Sequence, residues 1–338
     1  MKKFTRVLLS LLLCFALMFC TTTALAADGS FLSDSLHQHG NMLVLHIDLE
    51  ENTGITNGQI EISYDATQLA LVRATGSDLW AAQSINPDTA ALLFASSQPQ
   101  MAGGSLITLV FRPIGESNVY TASANVLLRK ELETVEETVL TFSSQAFVCN
   151  GKNCPSAAFS DLNTDDWYHA YTDYVIDSGL MNGVGGGAFR PNDNVSRAMI
   201  VTTLHRMAGS PQVETDCAFT DVEDGRWYTE AVAWALENGI TNGITETTFA
   251  PNATATREQA ATFFYRYVTL CLADEAIPGT DLSKFTDSNM ISDYAEAAIA
   301  WAVSEGLFQG YEDNTFRAGA PLIRSQLAKL LTVLEQGF

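Results

Sequence analysis

The chain has 338 residues, of which 47% are hydrophobic and 17% charged, and its formal net charge is −21. An acidic surface disfavours nucleic acid and anionic membrane as main partners, because both are polyanions. About 310 residues beyond a leader are enough for two or three domains. Because the surface is acidic overall, any anionic ligand must be bound by a few well-placed cations.

Residues 1–26 have the pattern of a secretory signal peptide, with predicted cleavage after Ala26. Basic residues precede an apolar run over 7–19, and Ala24-Leu25-Ala26 supplies the small residues of a cleavage site. A lipoprotein signal is disfavoured because Phe19, a large residue, precedes Cys20. Later apolar runs stay shorter than about 20 residues, so the sequence predicts an exported chain without a membrane anchor after cleavage.

Residues 27–150 have the pattern of a domain of short β-strands. From Met42 to Leu49 and from Ile60 to Tyr64, apolar side chains occupy every second position, the period of a half-buried strand. Further candidates are the segments 91–95, 106–111, 124–128, 139–142 and 146–148, separated by Asn, Gly, Asp and Pro turns. Seven or more short strands in about 120 residues predict an all-β sandwich of two sheets.

This segment resembles a cohesin module, the receptor domain of cellulosome scaffolds. The resemblance rests on the strand over 42–49, on Gly54-Ile55 followed by Ile60-Glu61-Ile62-Ser63-Tyr64-Asp65, and on Gly103-Gly104-Ser105-Leu106 leading into Leu109-Val110-Phe111. It implies a jelly-roll-like sandwich and a dockerin-bearing protein as partner. Similar pieces recur in carbohydrate-binding and adhesin-like sandwiches, so a glycan ligand stays open.

The C-terminal half contains an internal repeat with a period of about 60 residues, in three copies. In the second copy Trp227, Ala231, Trp234 and Ala235 form an apolar helical stripe that should end at Gly239. A second helix is predicted to start after a hydroxyl N-cap, so each copy reads as helix, loop, helix. The shared positions are Phe159, Phe219 and Phe285; Asp161, Asp221 and Asp287; Gly183, Gly243 and Gly310; Phe189, Phe249 and Phe316; and Arg197, Arg257 and Arg324.

These positions resemble the S-layer homology (SLH) family, with copies at 157–210, 217–271 and 282–338 after a linker over 151–156. The signature is a Phe-x-Asp start, an aromatic helix ending in Gly, a Gly…Phe-x-Pro turn and an Arg at the second helix start. The resemblance implies an all-α triad around a pseudo-threefold axis. It also implies binding of a secondary cell-wall polysaccharide, often one bearing pyruvyl ketals, in grooves between repeats.

The candidate polysaccharide-binding residues are carried over from this resemblance by position. A helix N-terminus favours an anion, and Arg adds a bidentate fork to it, so binding is favoured over a solvated face for the three Arg. For the Asp and Trp positions, helix capping and core packing are favoured over binding. The candidates are Arg197, Arg257, Arg324, Trp167, Trp227, Asp161, Asp221 and Asp287.

The third copy departs from the pattern. It gains one residue, placed inside its first helix, so that Asp293 replaces the first Trp, and Ile323 replaces the hydroxyl N-cap. The first copy has Met199 where Glu or Gln would complete a capping box. The groove that uses Arg257 is therefore the best single candidate.

The remaining chemistry-bearing residues predict no metal, no cofactor and no catalysis. Cys149, Cys154, Cys217 and Cys271 allow three disulfide pairings, of which Cys149–Cys154 with Cys217–Cys271 is the most local. The five histidines form no local ligand motif, and a calcium-loop opening at Asp161 lacks the later Gly and Glu. Nucleophile-elbow, phosphate-loop and dinucleotide motifs are absent from the sequence.

The sequence thus predicts a non-catalytic, cell-surface protein, anchored through its repeats to an anionic wall polysaccharide. Its sandwich would display a receptor for a dockerin-bearing protein. The alternative is a structural or carbohydrate-binding component of the surface layer. A wall-bound hydrolase is a third class, favoured only by the predicted location.

Overall fold

The computed structural model of the protein describes residues 32–51, 53–77, 79–80, 82–86, 91–115, 119–131, 133–144, 154–213, 217–272 and 281–337. The predicted signal peptide, the candidate strand at 146–148 and Cys149 lie outside the described residues. The sandwich and the repeats fall within one compact unit, Phe31–Phe338.

Nine strands in the described part of the chain build two antiparallel sheets, which confirms the predicted all-β sandwich. One sheet has the order β1-β2-β7-β4 and the other β5-β6-β3-β8-β9. The strands are β1 (Leu32–His39), β2 (Met42–Leu49), β3 (Ile55–Tyr64), β4 (Leu69–Gly76), β5 (Ala82–Asn86), β6 (Ala91–Gln100), β7 (Gly104–Pro113), β8 (Thr121–Lys130) and β9 (Glu133–Ser143).

The sequence pattern missed β1, β4 and β5. β1 and β5 are edge strands with largely polar sequences, so they lack the apolar alternation by which the others were found. In β2 the alternating Leu43, Leu45 and Ile47 face the sandwich core, as predicted. The opposite face is also covered, since Met42 and Val44 join the core of the repeats.

Within the described residues, six α-helices form the repeats, two in each copy. Gly179, Gly239 and Gly306 follow the first helix of each pair with φ of +72°, +70° and +71°, so the predicted left-handed stop at Gly239 is confirmed. The helices are α1 (His169–Asp177), α2 (Arg197–Met207), α3 (Thr229–Glu237), α4 (Arg257–Cys271), α5 (Glu296–Ser304) and α6 (Arg324–Gly337).

The second helices begin with better caps than the sequence indicated. In α2 the Ser196 N–H donates to the Met199 thioether at 3.5 Å, so a sulfur closes the capping box that lacked Glu or Gln. At α6 the Ile323 N–H donates to the side-chain Oε1 of Gln326 at 3.3 Å, so one of the two capping-box hydrogen bonds forms without the N-cap hydroxyl.

A ring of backbone hydrogen bonds joins the three repeats at their centre. The Val195 N–H donates to the Leu322 carbonyl, Leu322 donates to Ala255, and Ala255 donates to Val195, at 2.8–3.0 Å. Each of these residues lies just before the N-cap position of a second helix and is fully buried. Each repeat therefore contacts both of the others.

The outer face of the four-stranded sheet packs against the repeats. Arg73 on β4 donates from Nε to the Glu335 carboxylate on α6 at 2.9 Å, and both side chains are buried. The Tyr174 hydroxyl donates to the same carboxylate, and Arg73 Nη1 donates to the Ser178 carbonyl. The sandwich is thus bonded to the first and third repeats rather than only tethered to them.

A second polar cluster at this interface surrounds Asp177, the last residue of α1. Its carboxylate lies 2.9 Å from His37 Nδ1, 2.7 Å from His39 Nε2 and 3.3 Å from His46 Nε2. Burial raises the pKa of Asp177, but the hydrogen bonds from the three imidazoles outweigh this effect. The pKa of Asp177 therefore lies well below its ordinary value.

Of the three possible cysteine pairings, the most local one is excluded, because Cys217 and Cys271 are both free thiols. They lie at opposite ends of the second repeat, before its first helix and at the end of α4, so proximity in sequence did not bring them together. Cys154 is disulfide-bonded, and Cys149 lies outside the described residues.

Candidate functional site

The three signature arginines link one repeat to the next. From the first turn of α2, α4 and α6, each Nε donates to the carbonyl of a phenylalanine in a neighbouring repeat. Each guanidinium also lies over the ring of that phenylalanine, 4.6–4.8 Å from its centroid. The pairs are Arg197 with Phe249, Arg257 with Phe316, and Arg324 with Phe189.

Only 5%, 5% and 6% of Arg197, Arg257 and Arg324 is exposed, so the alternative of a solvated face is wrong for all three. Burial lowers the pKa of each guanidinium from its ordinary value. Nη2 of Arg257 donates to the Gln309 carbonyl at 2.9 Å, which fixes the loop between α5 and α6. The arginines therefore hold neighbouring repeats together, and direct ligand binding stays a prediction.

The three signature aspartates stabilise turns. Asp161, Asp221 and Asp287 each accept two backbone N–H bonds of 2.7–2.8 Å across the Phe-x-Pro turn, or Phe-x-Ala in the third copy. The second donor in each turn is a residue with φ of +56° to +59°. The prediction that these residues cap helices is therefore wrong, and both Asp161 oxygens already accept N–H bonds, which disfavours the calcium reading.

The signature tryptophans lie on the surface, which corrects the prediction that they pack in the core. Trp167 and Trp227 are 58% and 59% exposed, and each is the residue before the N-cap of its first helix. In the third repeat this position belongs to Tyr294, which is 54% exposed, and not to Asp293. The extra residue therefore lies before α5, between Asp287 and Tyr294, rather than inside the helix.

Sequence comparison missed Tyr294 because the insertion shifted the register by one residue. The signal available in the sequence was that an aromatic residue, Tyr294, directly follows Asp293. Burial, followed by the nearby Glu258 carboxylate, raises the pKa of Tyr294 to about 12. An aromatic ring therefore stands before the first helix in all three repeats.

A groove of about 160 Å³ opens between the second and third repeats. Arg257 forms its inner end, Lys329 on α6 adds a second cation, and Trp167 of the first repeat and Tyr311 supply aromatic faces. Gln309 and Gln326 contribute amides. Among the described residues, those that line this groove include no carboxylate, in contrast to the acidic chain as a whole.

This combination suits an anionic sugar. Aromatic rings cover the apolar faces of a sugar ring, and a cation beside the Tyr311 and Phe316 rings is held where water is partly excluded. Arg and amide groups bond carboxylate or hydroxyl oxygens. The predicted preference for the Arg257 groove agrees with this lining, although the lysine and the tyrosine were not foreseen.

The repeats match the S-layer homology domain family at residues 158–198, 218–261 and 284–328. A surface-layer 125 kDa protein of Lysinibacillus sphaericus is 32% identical over 181 residues, 52% of this chain and 15% of that protein. A cellulosome-anchoring protein of Acetivibrio thermocellus is 28% identical over 163 residues, 47% of this chain and 36% of that protein. An endoglucanase of Bacillus sp. strain KSM-635 is 30% identical over 176 residues, 52% of this chain and 18% of that protein. The chain therefore spans well under half the length of these relatives.

The sandwich is similar in fold to the sixth cohesin of scaffoldin B from Acetivibrio cellulolyticus, with a TM-score of 0.29 and 18% identity over 34% of this chain and 97% of that one. It is also similar to the collagen-binding domain of a Staphylococcus aureus adhesin, with a TM-score of 0.26 and 6% identity over 35% of this chain and 98% of that one.

The repeats and their relatives define the class: this is a cell-surface protein associated with the cell wall. More particularly, its three repeats match the S-layer homology domain family, and they follow an all-β sandwich of two sheets. The relative that is named an endoglucanase is a longer protein, and the matched region covers 18% of it. Among the described residues, none of the helices combines the length and apolar character needed to span a bilayer.

Proposed function

We propose that the protein anchors itself non-covalently to an anionic secondary cell-wall polysaccharide through the groove at Arg257. The observation that carries this proposal is the groove lining: within the described part of the chain it includes Arg257, Lys329, Trp167 and Tyr311 and no carboxylate, although the chain has a net charge of −21. A pyruvyl ketal fits it chemically, since it places one carboxylate on a sugar ring with apolar faces.

The other two copies have corresponding parts, and we extend the proposal to them. A pseudo-threefold arrangement of the repeats would place Trp227 with Arg324 and Tyr294 with Arg197, as Trp167 stands with Arg257. The electrostatic interaction between Tyr294 and Arg197 supports that pairing. Asp161, Asp221 and Asp287 would act by holding the turns whose Phe carbonyls accept from the arginines.

The test measures binding of the mature chain to purified wall, before and after mild acid removal of its ketals. Trp167→Ala and Lys329→Gln are the informative variants, because Arg257 also holds the fold. Loss of a stacking face is worth about 1–2 kcal/mol, so Trp167→Ala should bind 5- to 30-fold more weakly. Lys329→Gln should bind more weakly and with less salt dependence.

Met290→Ala is the control, since this exposed apolar residue lies on the third repeat outside the groove. It should bind like the wild type. Equal binding of all three variants, or binding unaffected by ketal removal, would contradict the proposed site.

For the sandwich we propose that the outer face of the five-stranded sheet binds a dockerin-bearing protein. The repeats cover the outer face of the other sheet, so this face is the broad sheet surface that stays available. Leu93 and Val139 are exposed on it, and Leu93 pairs with Gln59 of the central strand β3. The resemblance to cohesins and a cellulosome-anchoring relative support this partner.

Because the sandwich and the repeats share a core, the whole mature chain should be used as bait on secreted proteins, with calcium and with chelator. We expect calcium-dependent capture of dockerin-bearing proteins. Leu93→Asp should abolish this capture. Ile114→Asp, the control at an exposed residue after β7, should retain it. Self-capture would favour the alternative, a structural component of the surface layer. Capture of nothing in either condition would leave a glycan-binding sandwich as the alternative.

A further inference from the structure

Three histidines and an aspartate that are distant in sequence meet where the sandwich packs on the first repeat. His37 and His39 lie two residues apart on β1, so they share one face of the sheet. His46 on β2 lies on the same face, because it pairs with Ser35 in the antiparallel register. Asp177 approaches this face from the end of α1.

The atoms that could hold an ion are already close together. His37 Nδ1, His46 Nε2 and an Asp177 oxygen lie within 4.8 Å of one another. Two of the separations, 2.9 Å and 3.3 Å from the same Asp177 oxygen, are near the roughly 3.3 Å expected between ligands bound tetrahedrally at about 2.0–2.1 Å. Only the two imidazoles would have to approach each other.

Neighbouring groups orient these ligands as a metal site requires. His39 lies 2.7 Å from the second Asp177 oxygen, and His46 Nδ1 lies 3.2 Å from the Thr108 hydroxyl. Such outer contacts fix the orientation of a ligand and tune its basicity. The carboxyl end of α1 also favours a cation, since the helix dipole places partial negative charge there.

The cluster is shielded and still accessible. Side-chain exposure is 7% for Asp177, 16% for His46 and 28% for His37. Two imidazoles and one carboxylate form a donor set that suits zinc and similar divalent transition metals, and not calcium or magnesium. A second group, Cys154, His169 and Asp173, is a poorer candidate because the Cys154 sulfur is in a disulfide.

We propose that His37, His46 and Asp177 bind one zinc-class divalent ion, and that this ion fastens the sandwich to the first repeat. Without metal, His37 Nδ1–H and His46 Nε2–H donate hydrogen bonds to Asp177, whose ionised carboxylate can only accept them. On binding, each proton moves to the other ring nitrogen or leaves to water, and the lone pair binds the ion.

The experiment uses the mature chain without a polyhistidine tag, stripped of metal by chelator and then titrated with Zn²⁺ in a calorimeter. One ion per chain is expected. His37→Gln and His46→Gln should each weaken binding by more than about 100-fold, because losing an outer contact alone costs about 10- to 100-fold. His169→Gln is the matched control, because it removes a histidine of α1 from the other group and should leave affinity unchanged.

Two readouts of the unchanged chain keep the test independent of how the variants fold. Co²⁺ should give a visible absorption band typical of a low-coordinate site with nitrogen and oxygen ligands. Free Zn²⁺ at 100 times its dissociation constant should lower the unfolding equilibrium constant about 100-fold. Failure of the wild type to bind Zn²⁺ saturably would overturn the site. Binding by His37→Gln and His46→Gln that is as tight as that of the wild type would also overturn it. Loss of binding in His169→Gln alone would likewise overturn it.

Discussion

The buried pair of Arg73 and Glu335 offers a direct test of how firmly the sandwich is joined to the repeats. Glu335 accepts from Arg73 Nε at 2.9 Å and from the Tyr174 hydroxyl, and the side chains of the pair are 2% and 3% exposed. Glu335→Gln keeps the shape but removes the charge. Its amide oxygen can still accept from Arg73, while its amide nitrogen faces the Tyr174 hydroxyl, which must change from donor to acceptor.

Removing one partner of a buried ion pair leaves an uncompensated charge and costs about 3–5 kcal/mol. The cost should lie in this range because the other Arg73 partners are neutral. Arg73 Nη2 is also a buried donor that has no hydrogen-bond partner among the described residues. Arg73→Met together with Glu335→Met should cost far less than the sum of the single changes, since no buried charge then remains.

Urea unfolding followed by tryptophan fluorescence measures these free energies of unfolding. Glu223→Gln is the matched control, because Glu223 pairs with Arg226 at an exposed site and should lose less than about 1 kcal/mol. A cost for Glu335→Gln as small as that of the control would refute the reasoning. So would a double variant as unstable as the two single changes combined.

Three further outcomes are expected. Burial raises the pKa of Asp161, but backbone N–H bonds lower it more. The ionised carboxylate thus stabilises the fold at pH values above the unfolded-state pKa of about 4, and this stabilisation is lost as the pH falls below it. The melting-temperature difference between wild type and Asp161→Asn should therefore shrink from pH 7 to pH 3. A constant difference would contradict this. Gly183→Ala would place a Cβ 2.3 Å from a Phe159 ring carbon, so it should lower the free energy of unfolding, measured in urea, by about 1–3 kcal/mol. At Gly319 an added Cβ would meet no described atom within 4 Å, so Gly319→Ala should change that free energy by less than about 0.5 kcal/mol. A thiol reagent should label Cys217 and Cys271 in the denatured, unreduced chain, and a failure to label them would restore the disulfide.

Local patterns gave the architecture. The Phe-x-Asp starts, the helix-stop glycines and the positions of the second helices depend on contacts within one repeat, so a single sequence carries them. Alternation in β2 and β3 likewise predicted a sandwich, because a half-buried strand has a period of two. Edge strands such as β1 escaped, since an edge tolerates polar residues on both faces.

Side-chain roles in the grooves depended on distant partners. Arg257 was predicted beside a helix start, but its orientation was decided by the Phe316 carbonyl, 59 residues away. Trp167 was predicted to be core, because an apolar stripe does not show where the packed face ends. Tyr294 became visible only when the start of α5 fixed the register.

By itself, the sequence determined that the chain has an exported pattern, a sandwich and three homologous repeats, since each of these is written in local composition and periodicity. Only the tertiary structure decided that the repeats close a ring, that the arginines are buried within it, and that the sandwich packs on the repeats. His46 and Asp177 are 131 positions apart, and only the packing of β2 against α1 brings them together. Contacts of that range arise from burial of two surfaces against each other, and the sequence around each residue holds no record of them.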